Sequence, residues 1–454
     1  MSETGTGFVR RLGLFDATMI VMGGIIGSGI FMNPSVVARQ VHTPFLILGA
    51  WTFGGLIALA GGFIYAELSA RRPAVGGQYA YLREAFHPVI AFSFAWSLLL
   101  ASDTGGMAAV AMTFGRYVIE LTGAPFSETT IALSALGVLT AINCFGVRAG
   151  SNVQNTLMVI KIAAIVLLVL AGYLAAPEHG PATVAAPETK EGFELFASFG
   201  AALIPVLFAY GGWQTACFIA GEVKEPRKNM PRGLLIGVVG VIIIYTAVNL
   251  VCLRVLGPEG LAATKTPATE VMRAAMGEQG AKIIALGIAI SALGFLSQCV
   301  LVAPRVYYAM AEDGLFFKSV ARIHPKTHVP IFAILLQGVI AMILTLSGKY
   351  EDILNYVVAN DFVFFALTAA SIFVFRRRDS GSIAEEEAYN MPGHPYTTAL
   401  FVFVCSLVVI NTLYTNPVYG FMSVGAMVSA IPVFYFWRWY NKLPRTRSAG
   451  SGTP

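Results

Sequence analysis

Apolar stretches of roughly 20 residues recur along this chain, each long enough to cross about 30 Å of hydrocarbon as a helix. That recurrence leaves few folds open, because backbone in lipid must satisfy its own N–H and C=O groups within helices or a closed barrel. Of the 454 residues, 56% are hydrophobic and 12% are charged, where a soluble domain carries about 25% charged residues. The pattern predicts an all-α polytopic membrane protein of 12 transmembrane helices, at about 14–38, 44–69, 88–120, 127–146, 153–175, 194–220, 232–256, 280–311, 330–347, 353–376, 397–415 and 418–439.

The basic residues test that division. With the N-terminus inside, Arg10, Arg11, Arg71, Arg72, Lys224, Arg227, Lys228, Arg376, Arg377, Arg378 and Arg438 all fall on the inner side. The inner excess is about three to one, as the positive-inside rule requires, so both termini are expected in the cytoplasm. Only Arg116 and Lys161 are expected within the membrane. The net charge of +5 lies in loops and does not suggest nucleic acid. Segment 1–13 is a short polar cytoplasmic lead without the marks of a signal peptide, and 440–454 a small polar tail. Loop 376–395 is expected in water below the headgroups. The five cysteines lie in or beside spans and read as packing residues. Neither their spacing nor that of the six histidines suggests a metal or cofactor site.

Two spans are interrupted. Gly23-Gly-Ile-Ile-Gly-Ser-Gly-Ile-Phe31 breaks the first, and Phe208-Ala-Tyr-Gly-Gly-Trp-Gln214 breaks the sixth. Small-residue helix packing would explain the first run alone. A matched pair in corresponding spans instead points to a mid-membrane substrate site of a solute carrier. Five spans per repeat force the second copy upside down, so 14–175 and 194–376 are expected as inverted repeats, with 397–439 appended.

If the first span stops near Ile26 and restarts at Ser28, the N–H groups of Ser28, Gly29 and Ile30 face the gap beside Gly27. A helix N-terminus carries about half a positive charge and suits a carboxylate. Carbonyls of Ile25, Ile26, Phe208, Ala209 and Gly211 suit an ammonium. These are the two poles of an α-amino acid, with Phe208, Tyr210 and Trp213 as apolar walls and Gln214 alongside. Trp213 has the plain alternative of packing or facing lipid. Lys161, deep in the fifth span, costs about 3 kcal/mol to insert and is expected to face the interior, tying the first span to the eighth. Its alternative is snorkelling to the inner interface. Asp103 is expected to line the cavity or pair with Ser102 or Thr104. Asp361 is expected in an outer gate or a satisfied polar network, and Glu67 and Glu222 paired with inner arginines. No nucleophile–base pair lies in the spans, which disfavours an enzyme.

Gly24-Ile-Ile-Gly-Ser-Gly-Ile-Phe31, Tyr65-Ala-Glu-Leu-Ser69, Gly76-Gly-Gln-Tyr79, Phe208-Ala-Tyr-Gly-Gly-Trp213 and Glu225-Pro-Arg-Lys-Asn-Met-Pro-Arg232 resemble the amino acid–polyamine–organocation superfamily, and within it the L-type amino acid transporters and their bacterial homologues. The resemblance implies the five-plus-five inverted-repeat fold and alternating access. It implies carboxylate binding at Ser28 and Gly29, ammonium binding at Ile25, Phe208 and Gly211 with Phe208 as gate, and Lys161 in place of a sodium site. The expectation is a sodium-independent exchanger of neutral L-amino acids in the plasma (inner) membrane; proton symport is the second mechanism and an amino acid sensor the alternative class. Loop 122–127 lacks the cysteine with which mammalian members link a heavy chain, so no covalent heavy-chain partner is expected. Gln214 and Cys217 stand where some members have asparagine. The absence of acid in either break disfavours cationic substrates.

Overall fold

The computed structural model describes residues 8–175, 192–347, 350–380, 389–415 and 417–442, and they are helical almost throughout. The first span is a bent pair, α1 (Leu14–Ile25) and α2 (Gly29–Val41), turned by 41° at the break. Span 2 is α3 (Pro44–Arg71), followed by the short α4 (Gln78–Ala85). Span 3 joins α5 (Pro88–Ser97) to α6 (Asp103–Thr122) through a π-helical turn, Leu98–Ser102. Spans 4 and 5 are α7 (Glu128–Cys144) and α8 (Val147–Leu174). Span 6 is α9 (Gly192–Tyr210) continued as a 3-10 helix, Trp213–Glu222. Span 7 is α10 (Pro226–Ala263), and span 8 is α11 (Pro267–Val302) with α12 (Pro304–Glu312). Spans 9 to 12 are α13 (Ile331–Ser347), α14 (Tyr350–Asp379), α15 (Tyr396–Thr415) and α16 (Pro417–Lys442).

Local chemistry sets several boundaries. Thr43 caps α3 by accepting from Leu46 N–H, and Pro44 opens it without an N–H to leave unpaired. Span 5 starts at Val147, not near residue 153, because the polar turn there is held to span 1. Arg148, Ser151 and Asn155 all donate to the Asp16 carboxylate. Span 7 likewise starts early, with Pro226 in its first turn, and kinks at Gly257, whose φ is 66°. The polar stretch between spans 7 and 8 is thus helical on both sides of a short link.

Span 1, the 3-10 half of span 6 and span 8 form the interior. Nearly all of α1 is buried, and 72% of the apolar window of span 8 is enclosed by protein, against 28% for spans 5, 11 and 12. Those outer spans present Leu167, Leu170, Phe403, Ile410 and Phe421 outward, the face a lipid-bathed helix requires. The cysteines are free, four of them buried.

Several span ends are tied by charge. Glu67 accepts from Arg71 and Arg376, and from the Met391 N–H. The part of loop 376–395 expected in water is therefore partly sequestered, because Glu67, buried in span 2, needs those donors. Glu385–Glu387 lie outside the described residues. Glu222 and Arg305, each 1% exposed, pair at 2.6 Å. Nor is the lead segment free. The N–H groups of Arg11 and Leu12 donate to the Glu222 carbonyl, Lys224 N–H donates back to Leu12, and Phe8 packs edge-on against Tyr308. Arg116 is more than half exposed and pairs with Glu128, so it sits at a span end, not within the membrane.

Candidate functional site

The two breaks meet in the middle of the bundle. Ile25 ends α1 and Gly29 begins α2, leaving Ile26, Gly27 and Ser28 outside regular helix. Ser28 makes no side-chain cap and Phe31 N–H turns back to the Ser28 carbonyl at 3.1 Å, while the N–H groups that open a helix before it have no acceptor one turn back. In span 6, α9 stops at Tyr210 and Gly212 turns the chain with φ 104°, a conformation that favours glycine.

Several of the opened carbonyls have a side-chain partner. Tyr245 of span 7 lies 3.1 Å from both Ile25 O and Ala209 O, so one hydroxyl serves the two breaks. Lys161 donates to Ile26 O, and Ser291 of span 8 to Gly27 O at 3.2 Å. Gln298 donates to Thr215, whose hydroxyl donates to Gly212 O, both at 2.6 Å. A buried carbonyl without a partner costs about 1–3 kcal/mol, so these side chains make the unwound state tolerable. Sequence reasoning missed Tyr245, Ser291, Thr215 and Gln298. Their signal was a polar residue inside an apolar span, at positions only the packing identifies.

Between the breaks lies a cavity of about 130 Å³. Ile25, Gly27, Ser28, Gly29, Phe208, Ala209, Gly211 and Gln214 line it. Ile26 does not; its carbonyl is turned to Lys161. Nor does Trp213, which is 3% exposed and packs against Tyr65, Phe365 and Phe401. Tyr210 is likewise enclosed by Trp51 and Tyr245. These aromatics fill space between spans. Lys161 is wholly buried, and a Cβ on Gly294 of span 8 would sit 3.2 Å from its ammonium. It lies between the first break and span 8, not at the inner interface.

The remaining walls come from other spans. Phe94, Phe218 and Phe364 form an aromatic cluster with centroids 5.3 and 6.1 Å apart. Asp103 and Asp361 also line the cavity. The breaks themselves carry no acid, but spans 3 and 10 supply two, which removes the argument against cationic substrates. Asp103 pairs with neither neighbouring hydroxyl: it accepts from Gln337 at 2.6 Å, while Thr104 donates to Leu99 O. That last bond belongs to the π turn, a local widening found often at functional sites.

An amino acid permease family model matches residues 12–437. The serine/threonine exchanger SteT of Bacillus subtilis is 30% identical, over 96% of this chain and 98% of its own. The human large neutral amino acids transporter small subunit 2 is 26% identical, over 97% and 83%. The human cystine/glutamate transporter is also 26% identical, over 96% and 87%.

Proposed function

The chain belongs to the amino acid permease family, and from that premise we propose that this multi-pass amino acid transporter is a sodium-independent exchanger of neutral L-amino acids. The observation that carries the reading is the cavity between two broken spans, with the uncapped start of α2 on one side and Phe208, Ala209 and Gly211 on the other. The helix start favours a carboxylate, and the opened main chain of span 6 offers oxygens to an ammonium. Ser28 and Gly29 hold the carboxylate through their N–H groups; Ile25, Phe208 and Gly211 hold the ammonium. Phe208, 39% exposed at the cavity, serves as its gate. Lys161 supports sodium independence, since its ammonium already serves the first break.

In this reading 14–175 and 194–376 are the two inverted halves that rock about the site, in the plasma (inner) membrane with both termini cytoplasmic. The protein acts without a covalently linked heavy chain, consistent with the cysteine-free loop 122–127.

The test is uptake of a labelled amino-acid panel into proteoliposomes, with and without internal amino acid, sodium and a proton gradient. Exchange requires uptake that depends on internal amino acid and ignores sodium and pH. Gradient-driven uptake into empty vesicles would replace exchange with symport, and binding without any uptake would make the protein a sensor.

A further inference from the structure

Asp103 and Asp361 are left over once the breaks have been assigned to the α-carboxylate and α-ammonium. Ser102 and Asn360, the residues just before them, are joined by a hydrogen bond from Asn360 Nδ2 to Ser102 Oγ at 2.8 Å. That bond pins span 3 to span 10 at adjacent positions and sets both acids on the same cavity. Asp103 accepts from Gln337, and Asp361 is hydrogen-bonded by Ser102 and Asn360. Among the described residues no basic side chain forms an ion pair with either acid. Lys161 is engaged at Ile26.

A second, independent observation marks the same cavity. Gln78, at the start of α4, lines the cavity, is 1% exposed, and has no partner for either amide atom. Burying an amide without a partner costs free energy, so Gln78 is a donor and acceptor held ready for something that enters. Carboxylates away from bulk water without a cation are costlier still. The wall as it stands is short of positive charge and of one hydrogen-bonding partner.

We propose that Asp103, Asp361 and Gln78 form a side-chain subsite for a cation carried by the substrate, so that the transporter also takes basic amino acids. The ammonium or guanidinium at the end of the side chain sits between the two carboxylates, with Gln78 Oε1 as a further acceptor. The aromatic cluster of Phe94, Phe218 and Phe364 flanks the aliphatic stem. This rests on the main-chain recognition proposed above and widens its substrate range.

The experiment is competition by L-lysine and L-arginine against exchange of the neutral amino acid that the reconstituted protein transports best. Wild type is expected to be inhibited by both and to exchange them in labelled form. In Asp103→Asn and Asp361→Asn the inhibition constant for the basic amino acids, taken relative to that for the neutral one, should rise about 30-fold or more. Gln78→Leu, which leaves both carboxylates in place, should raise the same ratio by a smaller factor. Exchange of neutral amino acids with no inhibition by lysine or arginine would overturn the subsite while leaving the main reading intact. So would an unchanged ratio in both aspartate variants. If basic amino acids are ignored while neutral uptake follows a proton gradient that Asp103→Asn abolishes, the wall binds protons instead. No exchange of any amino acid by wild type would sink the main reading, not this one alone.

Discussion

The carbonyl oxygen of Gly212 lies 2.6 Å from the place a Cβ on Gly24 would occupy. The main chains of the two broken spans therefore touch directly, and both positions need glycine for space; Gly212 also needs it for its φ of 104°. We expect Gly24→Ala and Gly212→Ala each to abolish exchange in proteoliposomes and to lower the melting temperature in detergent. Near-normal exchange by Gly212→Ala would show that the spans can separate without loss.

Tyr245→Phe removes the hydroxyl shared by Ile25 O and Ala209 O and little else. The hydroxyl has one proton to give, so one buried carbonyl loses its donor while Ile25 O keeps the Gly27 N–H, and stability should fall by about 1–3 kcal/mol. Exchange should slow by about tenfold or more, since the breaks lose their common fixture. Thermal melts and initial exchange rates, read together, check both.

Lys161→Ala leaves Ile26 O without its ammonium. The expected result is a folded protein whose exchange is nearly lost and is not restored by sodium. Transport kinetics equal to wild type would remove Lys161 from the mechanism.

Arg305 and Glu222 form a pair that is almost entirely buried. Removing one partner strands the other charge, at about 3–5 kcal/mol. Arg305→Met should therefore destabilise more than the double variant Arg305→Met with Glu222→Leu, in which no charge is stranded. Unfolding curves of the four proteins form the cycle that decides it.

His394, in the loop after span 10, is held below the ordinary histidine range by burial and by Arg376 and Arg71, against the pull of Glu67. The unfolded chain then binds its proton more readily than the folded one. Stability is fully present above about pH 6.5 and falls as pH drops below it. His394→Gln should flatten that acid-side fall in a melting series from pH 7.5 to about 5.

Some of this was written in the chain itself. Span lengths follow from hydrocarbon thickness, and the two breaks from glycine runs that lipid would not tolerate as continuous helix. Those are local constraints, so Ile25 to Gly29 and Phe208 to Gly211 could be named without coordinates. What completes the cavity is not local. Asp103, expected from the sequence either to line it or to pair with a neighbouring hydroxyl, lines it beside the Ser102–Asn360 bond, and Gln78 arrives from the short helix after span 2. Tyr245 reaches both breaks from span 7, while Trp213 and Ile26, inside the breaks by sequence, turn away from the opening. A helix has one residue facing each direction per turn, and which direction is inward depends on its neighbours. Position along the chain determined where the main chain opens; only the packing of the spans decided which side chains look into the gap.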